Sequence, residues 1–150
     1  AVGVVRRDPM AMKPFCGYHF GDYFAHWLAF DRAGAQLPAI FHVNWFRKGE
    51  DGTFLWPGFG ENLRVLEWMI GRVEGRVGAV ETPIGLLPRP QDLDLEGLDL
   101  SDAARAALFG FDRDGWRAEF DALAADLASY APRVPEALLQ EHARVRQALG

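Results

Sequence analysis

Cysteine is almost missing from this sequence. Cys16 stands alone, so no internal disulfide can form. A reducing, cytoplasmic setting is the natural reading. Lysine is nearly as scarce: Lys13 and Lys48 are the two lysines, and arginine supplies the rest of the basic charge. The net charge is -5 and no block of like charge occurs, which argues against a general nucleic-acid binder. No run approaches the ~18 apolar residues of a membrane span. No signal peptide is visible.

Several catalytic signatures are absent as well. There is no GxxxxGK[ST] phosphate loop, no HExxH, no CxxC and no GxSxG. The four histidines, His19, His26, His42 and His142, are scattered. His19 and His26 are spaced to share a helix face, but Gly21 interrupts that segment, so a metal pair is disfavoured. His26 and His42 read as packed or hydrogen-bonded structural histidines. Cys16 sits among apolar residues and reads as buried and inert.

What is present is one domain's worth of chain. Its 150 residues, 49% apolar and 25% charged, suit a single soluble unit with its own core. The chain opens Ala1-Val2-Gly3-Val4-Val5 without a methionine, which raises the expectation of a piece of something longer. Val2 to Val5 reads as a strand, broken at Arg6-Arg7-Asp8-Pro9. Met10 to Phe20 reads as an irregular, packed loop. Tyr23 to Phe30 reads as a short buried helix, and Gly34 to Pro38 as a linker.

The densest stretch is Phe41 to Asn62, FHVNWFRKGEDGTFLWPGFGEN. Phe41 to Phe46 alternates apolar with smaller or polar residues, the period of a strand. Glu50-Asp51-Gly52 is a turn, with Asp-Gly a strong hairpin signal. Phe54-Leu55-Trp56 returns, and Pro57-Gly58-Phe59-Gly60 forces a tight loop. A helix then begins at Asn62, because Leu63, Leu66, Ile70 and Val73 recur at helical spacing. Gly75 and Gly78 stop it.

Beyond that helix, Thr82 to Pro88 reads as an extended, proline-punctuated segment, and Asp92 to Leu100 as an acidic loop. Ser101-Asp102 and Asp112 are helix N-cap signals. Trp116, Phe120, Leu123 and Leu127 mark one face of a long helix. Leu138, His142, Val145 and Leu149 mark one face of the last. The first half is mixed and aromatic; the second is helical.

Phenylalanine offers a flat apolar face and nothing else. Phe46, Phe54 and Phe59 lie in three adjacent segments. If two of them face each other, they can sandwich a purine, each stacked base being worth ~1–3 kcal/mol on truncation. Stacking cannot tell guanine from adenine, so discrimination needs hydrogen bonds to the base edge. Asn62 and the backbone around Gly60-Glu61 are candidates, since glycine lets a backbone come close. A Phe/Trp-rich hairpin is more often simply core, and composition alone leaves both readings open.

FHVNWFRK, FLWPGFGEN and RVLEWM resemble the GTP-dependent phosphoenolpyruvate carboxykinase family. Asp8 to Tyr18, Gly21 to Leu28 and Thr82 to Pro88 match the same family in the same order. The resemblance is strong from Asp8 to Pro88 and looser beyond. It implies an α/β parent fold, α+β in this piece, with 1–150 a single unit at the C-terminal end of a larger nucleotide-binding domain.

It also implies a parent that converts oxaloacetate and GTP to phosphoenolpyruvate, GDP and carbon dioxide with a divalent metal, manganese or magnesium. The phosphate loop, metal ligands and substrate arginines would lie outside this chain, leaving it no catalytic residue. Carried over by position, the guanine site falls on Phe46, Phe54, Phe59, Gly60, Glu61 and Asn62. Arg6, Arg7 and Arg47 read as structural or solvated charge. The implied partners are a guanine nucleotide and the oxaloacetate/phosphoenolpyruvate pair, with neither nucleic acid nor membrane. The parent is expected to be a monomer, and this piece to self-associate. A stand-alone purine-nucleotide-binding module, a sugar-binding module and a purely structural domain are the rival readings.

Overall fold

The computed structural model describes residues 7–150. The expected strand at Val2 to Val5, and Arg6 with it, lies outside the described residues. The chain is α+β: five helices and one two-stranded antiparallel sheet among the described residues. It divides into two compact units, Ala1–Leu37 with Asp112–Gly150, and Pro38–Phe111. One division falls at the end of the Gly34 to Pro38 linker.

In the first unit, two single 3-10 turns, Pro9–Ala11 and Lys13–Phe15, precede helix α1, Phe20–Leu28. The segment from Met10 is irregular as expected, but it is not packed: Met10 and Phe15 are exposed. Helix α1 starts three residues before the expected Tyr23, because His19 caps it, accepting the Gly21 N–H on Nδ1 at 3.1 Å. Gly21 therefore lies inside the helix rather than interrupting it. Its position is sterically demanded, since an added Cβ would run into the Arg133 carbonyl.

The expected buried helix is otherwise a half-exposed one. Phe20 and Gly21 are buried, while Trp27, Leu28 and Phe30 are exposed. Rings of Phe20, Phe24 and Tyr130 pack together, Phe20 on Phe24 at 4.9 Å and Phe24 on Tyr130 at 5.6 Å.

Helices α4, Arg113–Ala128, and α5, Glu136–Leu149, pack on each other through the two faces read from the sequence. Leu127, Val145 and Leu149 are buried. The Asp112 carboxylate caps α4, accepting the Gly115 N–H at 2.9 Å. His142 Nε2 donates to the Phe120 carbonyl at 2.7 Å. Arg113 and Arg117 donate to the carbonyls of Ala148 and Leu149 at 2.8 and 3.0 Å, satisfying orphan groups at the end of α5.

In the second unit, α2, Asn62–Val73, begins where the apolar spacing put it. Its buried side is not that stripe. Trp68 is buried with Leu93 and Leu95, which come from the acidic loop, whereas Leu63, Leu66, Ile70 and Val73 face outward. Trp68 is fixed by its indole N–H, donated to the Gly78 carbonyl at 3.2 Å. The expected extended segment at Thr82 to Pro88 is the second half of a hairpin, strands β1, Val80–Thr82, and β2, Gly85–Leu87, paired Val80 to Leu87. Pro83-Ile84 makes the turn, and Gly85 takes a positive φ of 124°. Helix α3, Asp102–Phe109, starts at the Ser101 cap, whose Oγ accepts the Ala104 N–H at 3.1 Å.

Candidate functional site

The strand expected at Phe41 to Phe46 does not form. Asn44 Oδ1 accepts the Phe46 N–H at 3.0 Å, folding the chain into a local turn and removing a donor that a ladder would need. Pairing is confined to a short hairpin beyond it. The Leu55 N–H donates to Arg47 O at 2.8 Å and the Gly49 N–H to Thr53 O at 2.9 Å, with one antiparallel bridge between Lys48 and Phe54. The expected Asp-Gly turn closes the hairpin. Asp51 Oδ1 accepts the Thr53 hydroxyl at 2.7 Å and its N–H at 2.9 Å, and these bonds hold its carboxyl below the usual range.

Burial switches abruptly along this segment. Leu55 and Trp56 are 7% and 6% exposed, yet Phe46 is 72%, Phe54 58% and Phe59 90% exposed. The two buried side chains anchor the segment, and the three phenylalanines stand out from it. The reading of these rings as core is overturned.

Of the three rings, one pair does not face each other flat. Phe46 and Phe54 touch edge to face, with centroids 6.0 Å apart and planes at 64°, so no flat slot lies between them. Lys48 Nζ sits 5.3 Å over the Phe54 ring, a cation–π contact on one of its faces. Among the described residues no ring contacts Phe59.

Phe59 opens a 3-10 turn, Phe59–Glu61, that runs into α2. Gly58 before it has φ 130° and ψ -175°, a region closed to side-chain-bearing residues. Outside Gly60 the space is open; a Cβ there would meet nothing within 4 Å. The Glu61 carboxylate is engaged by Arg64 Nε at 2.7 Å, and Arg64 also donates to the Asp94 carbonyl at 3.0 Å. At Glu61 the backbone, not the side chain, is left to meet a ligand. Asn62, the first residue of α2, is half-buried, and its Oδ1 accepts the indole N–H of Trp56 at 2.8 Å.

Trp56 falls within the stretch read as the site, but its bond to Asn62 was not foreseen from the sequence. The signal was available: a tryptophan in a tight apolar loop needs an acceptor for its N–H once buried. Asn62 is the side-chain amide six residues on.

The other polar candidates have structural roles. Arg47 donates to the carbonyls of Leu108 and Gly110 at 3.1 and 3.3 Å, at the end of α3. Arg7 forms a two-pronged pair with Glu119 at 2.6 and 3.1 Å. His19 is spent as a cap. His26 lies against the edge of Phe30 although exposed, and His42 is exposed rather than packed. Cys16 is half-buried, its thiol donating to the Tyr18 carbonyl at 3.5 Å, rather than enclosed by apolar groups.

Among the described residues no three His, Cys, Asp or Glu side chains converge as metal ligands. No described helix is long and apolar enough to cross a membrane. A depression of about 300 Å³ lies along α2, lined by Phe41, Met69, Ile70, Val73 and Glu74. Its lining is largely apolar, with Glu74 at one side.

Residues 1–148 match the family model described as phosphoenolpyruvate carboxykinase C-terminal P-loop domain. The chain is 50% identical over its whole length to a phosphoenolpyruvate carboxykinase [GTP] of Renibacterium salmoninarum, covering 25% of that protein. It is 48% identical over 99% of its length to the Chlamydia trachomatis protein of that name, and 46% identical over 99% to that of Thermoplasma volcanium. In both cases it again covers 25% of the relative. The chain thus spans a quarter of the length of the curated relatives it matches.

Proposed function

The chain belongs to the GTP-dependent phosphoenolpyruvate carboxykinase family, and we propose that it supplies the guanine-binding pocket of an enzyme converting oxaloacetate and GTP to phosphoenolpyruvate, GDP and carbon dioxide. Both compact units are read as parts of one larger domain. One observation carries the pocket assignment: buried Leu55 and Trp56 present Phe46, Phe54 and Phe59 outward, beside an open glycine backbone and the amide of Asn62. Phe59, with both faces clear of other rings, is the principal stacking platform. The Phe46–Phe54 pair forms the opposing wall. Asn62 and the backbone at Gly60-Glu61 read the base edge.

A bound divalent metal, manganese or magnesium, would supply charge neutralisation at the transferred phosphate. The part proposed for the described residues is to hold and orient the base. No catalytic residue is assigned here, and the 150 residues alone are expected to be inactive. The parent's setting is proposed as cytoplasmic. Exposed Leu63, Leu66, Ile70 and Val73 on one face of α2 support self-association of this piece with a second copy. A monomeric elution at high concentration on a sizing column would reject that.

The test is a titration of tryptophan fluorescence with GDP, using ADP as control. Trp45 and Trp56, with rings 6.1 Å apart, lie inside the proposed pocket and report its occupancy. A saturable response to GDP and none to ADP is expected. Equal responses to both would favour the rival reading, an unselective purine module.

A further inference from the structure

We propose that Trp56 is a specificity-determining positioning residue: its indole N–H locks the Asn62 amide so that the NH2 group, not the oxygen, faces position 6 of the purine. The inference rests on the guanine-pocket reading above and specifies which atom of Asn62 does the reading.

An asparagine amide has two ends of opposite polarity and nearly equal shape. Flipped one way it donates, and flipped the other way it accepts. Guanine carries an acceptor, O6, where adenine carries a donor, the 6-amino group. An amide free to flip serves both purines and discriminates neither. Here it is not free. An indole nitrogen is a donor only, so the Asn62 atom 2.8 Å from Trp56 Nε1 must be Oδ1. Nδ2 then projects from the other side of the amide, and among the described residues no protein acceptor takes its hydrogens.

The lock is stiff because Trp56 is. It is 6% exposed and packs against the Trp45 ring at 6.1 Å. Pro57 follows it directly. Flipping Asn62 would set two donors against each other and leave a buried N–H without an acceptor. Asn62 is equally fixed at the other end, as the first residue of α2, with its backbone N–H bound to the Phe59 carbonyl. Specificity for a 6-oxo purine is therefore set by a residue that need not touch the base.

The experiment compares the affinity of the purified protein for GDP with that for 2,6-diaminopurine riboside diphosphate. The two ligands share the 2-amino group and differ at position 6 and N1. In Trp56→Phe the amide is released. The preference for GDP is expected to fall at least about tenfold, with binding of the diaminopurine ligand strengthened. In an Asn62→Ala background the same Trp56→Phe change is expected to leave the remaining ratio unaltered, because there is no amide left to orient.

If Trp56→Phe weakens both ligands equally, Trp56 is only packing and the proposal fails, while a ratio that collapses in Asn62→Ala keeps the pocket reading intact. If Asn62→Ala leaves the ratio unchanged, the pocket reading itself fails, and the proposal with it. Should Trp56→Phe not fold, benzothienylalanine at position 56 retains the bicyclic shape with sulfur in place of N–H. The same loss of preference is expected there, and an unchanged ratio overturns the proposal.

Discussion

Phe46 and Phe54 meet edge to face at 6.0 Å, while Phe59, in the next loop, meets no ring among the described residues. A base cannot enter between the first two, so Phe59 should supply the exposed stacking face. Phe59→Ala is expected to weaken GDP by ~1–3 kcal/mol, roughly 5- to 150-fold. The 2,6-diaminopurine ligand should weaken in proportion, because stacking does not read the edge. With Phe59 90% exposed, the melting temperature should hardly move. Phe54→Ala should cost less in binding and more in hairpin stability, since it removes the contacts with Phe46 and Lys48. Isothermal titration beside thermal melts checks both, and a larger binding loss for Phe54→Ala would reverse the roles.

Gly58 holds the loop in a conformation reserved for glycine. Gly58→Ala is expected to destabilise the protein by ~1–3 kcal/mol and to displace Phe59 and the start of α2. A lowered urea midpoint, together with weaker GDP binding, is the expected result. An unchanged midpoint would mean that the backbone relaxes without cost.

Leu95 lies under Trp68 although it belongs to a loop. Leu95→Ala should cost ~2–5 kcal/mol, towards the lower end because a loop can partly collapse into the space. Leu63→Ala on the exposed face of α2 should stay within about 0.5 kcal/mol. Chemical denaturation of the two variants side by side tests which face of α2 is the core.

Arg7 hydrogen-bonds Glu119 and holds its carboxyl below the usual range. A carboxyl depressed in the folded state contributes stability that is present above its unfolded value and lost as pH falls through the folded one. Stability should therefore decline as the solution is acidified into and below the ordinary carboxylate range. Both partners are partly solvated, so the effect should be small and screened by salt. Urea midpoints measured against pH should show a shallower acid limb in Arg7→Met than in the parent. Parallel limbs would show that the pair contributes nothing.

What could be read in advance was what local chemistry dictates. The start of α2 at Asn62, the Ser101 and Asp112 caps, the Asp51-Gly52 turn and the inner faces of α4 and α5 all lie where the residues placed them. In each case the signal spans a turn or two, within reach of the residues that make it. The family resemblance rested likewise on contiguous motifs, and the comparisons agree with it.

Failures came where a distant partner, or a competing local bond, chose between two permitted outcomes. Phe41 to Phe46 has the period of a strand, but Asn44 captures the Phe46 N–H instead. The Leu63 to Val73 stripe announced a helix correctly but left its buried side open, and Leu93 and Leu95 cover the side opposite the stripe. Val80–Thr82 and Gly85–Leu87 became a hairpin through pairing that short proline-flanked segments do not advertise.

The sequence by itself determined the family, the helices of the second half and the aromatic loop, because spacing, caps and turn residues act over a few positions. Only the tertiary structure decided that Phe46, Phe54 and Phe59 face outward while Leu55 and Trp56 face in, and that the Asn62 amide takes one of its two orientations. Those choices are nearly degenerate for the isolated segment. They are resolved by burial and by the single hydrogen bond that Trp56 must make once it leaves water.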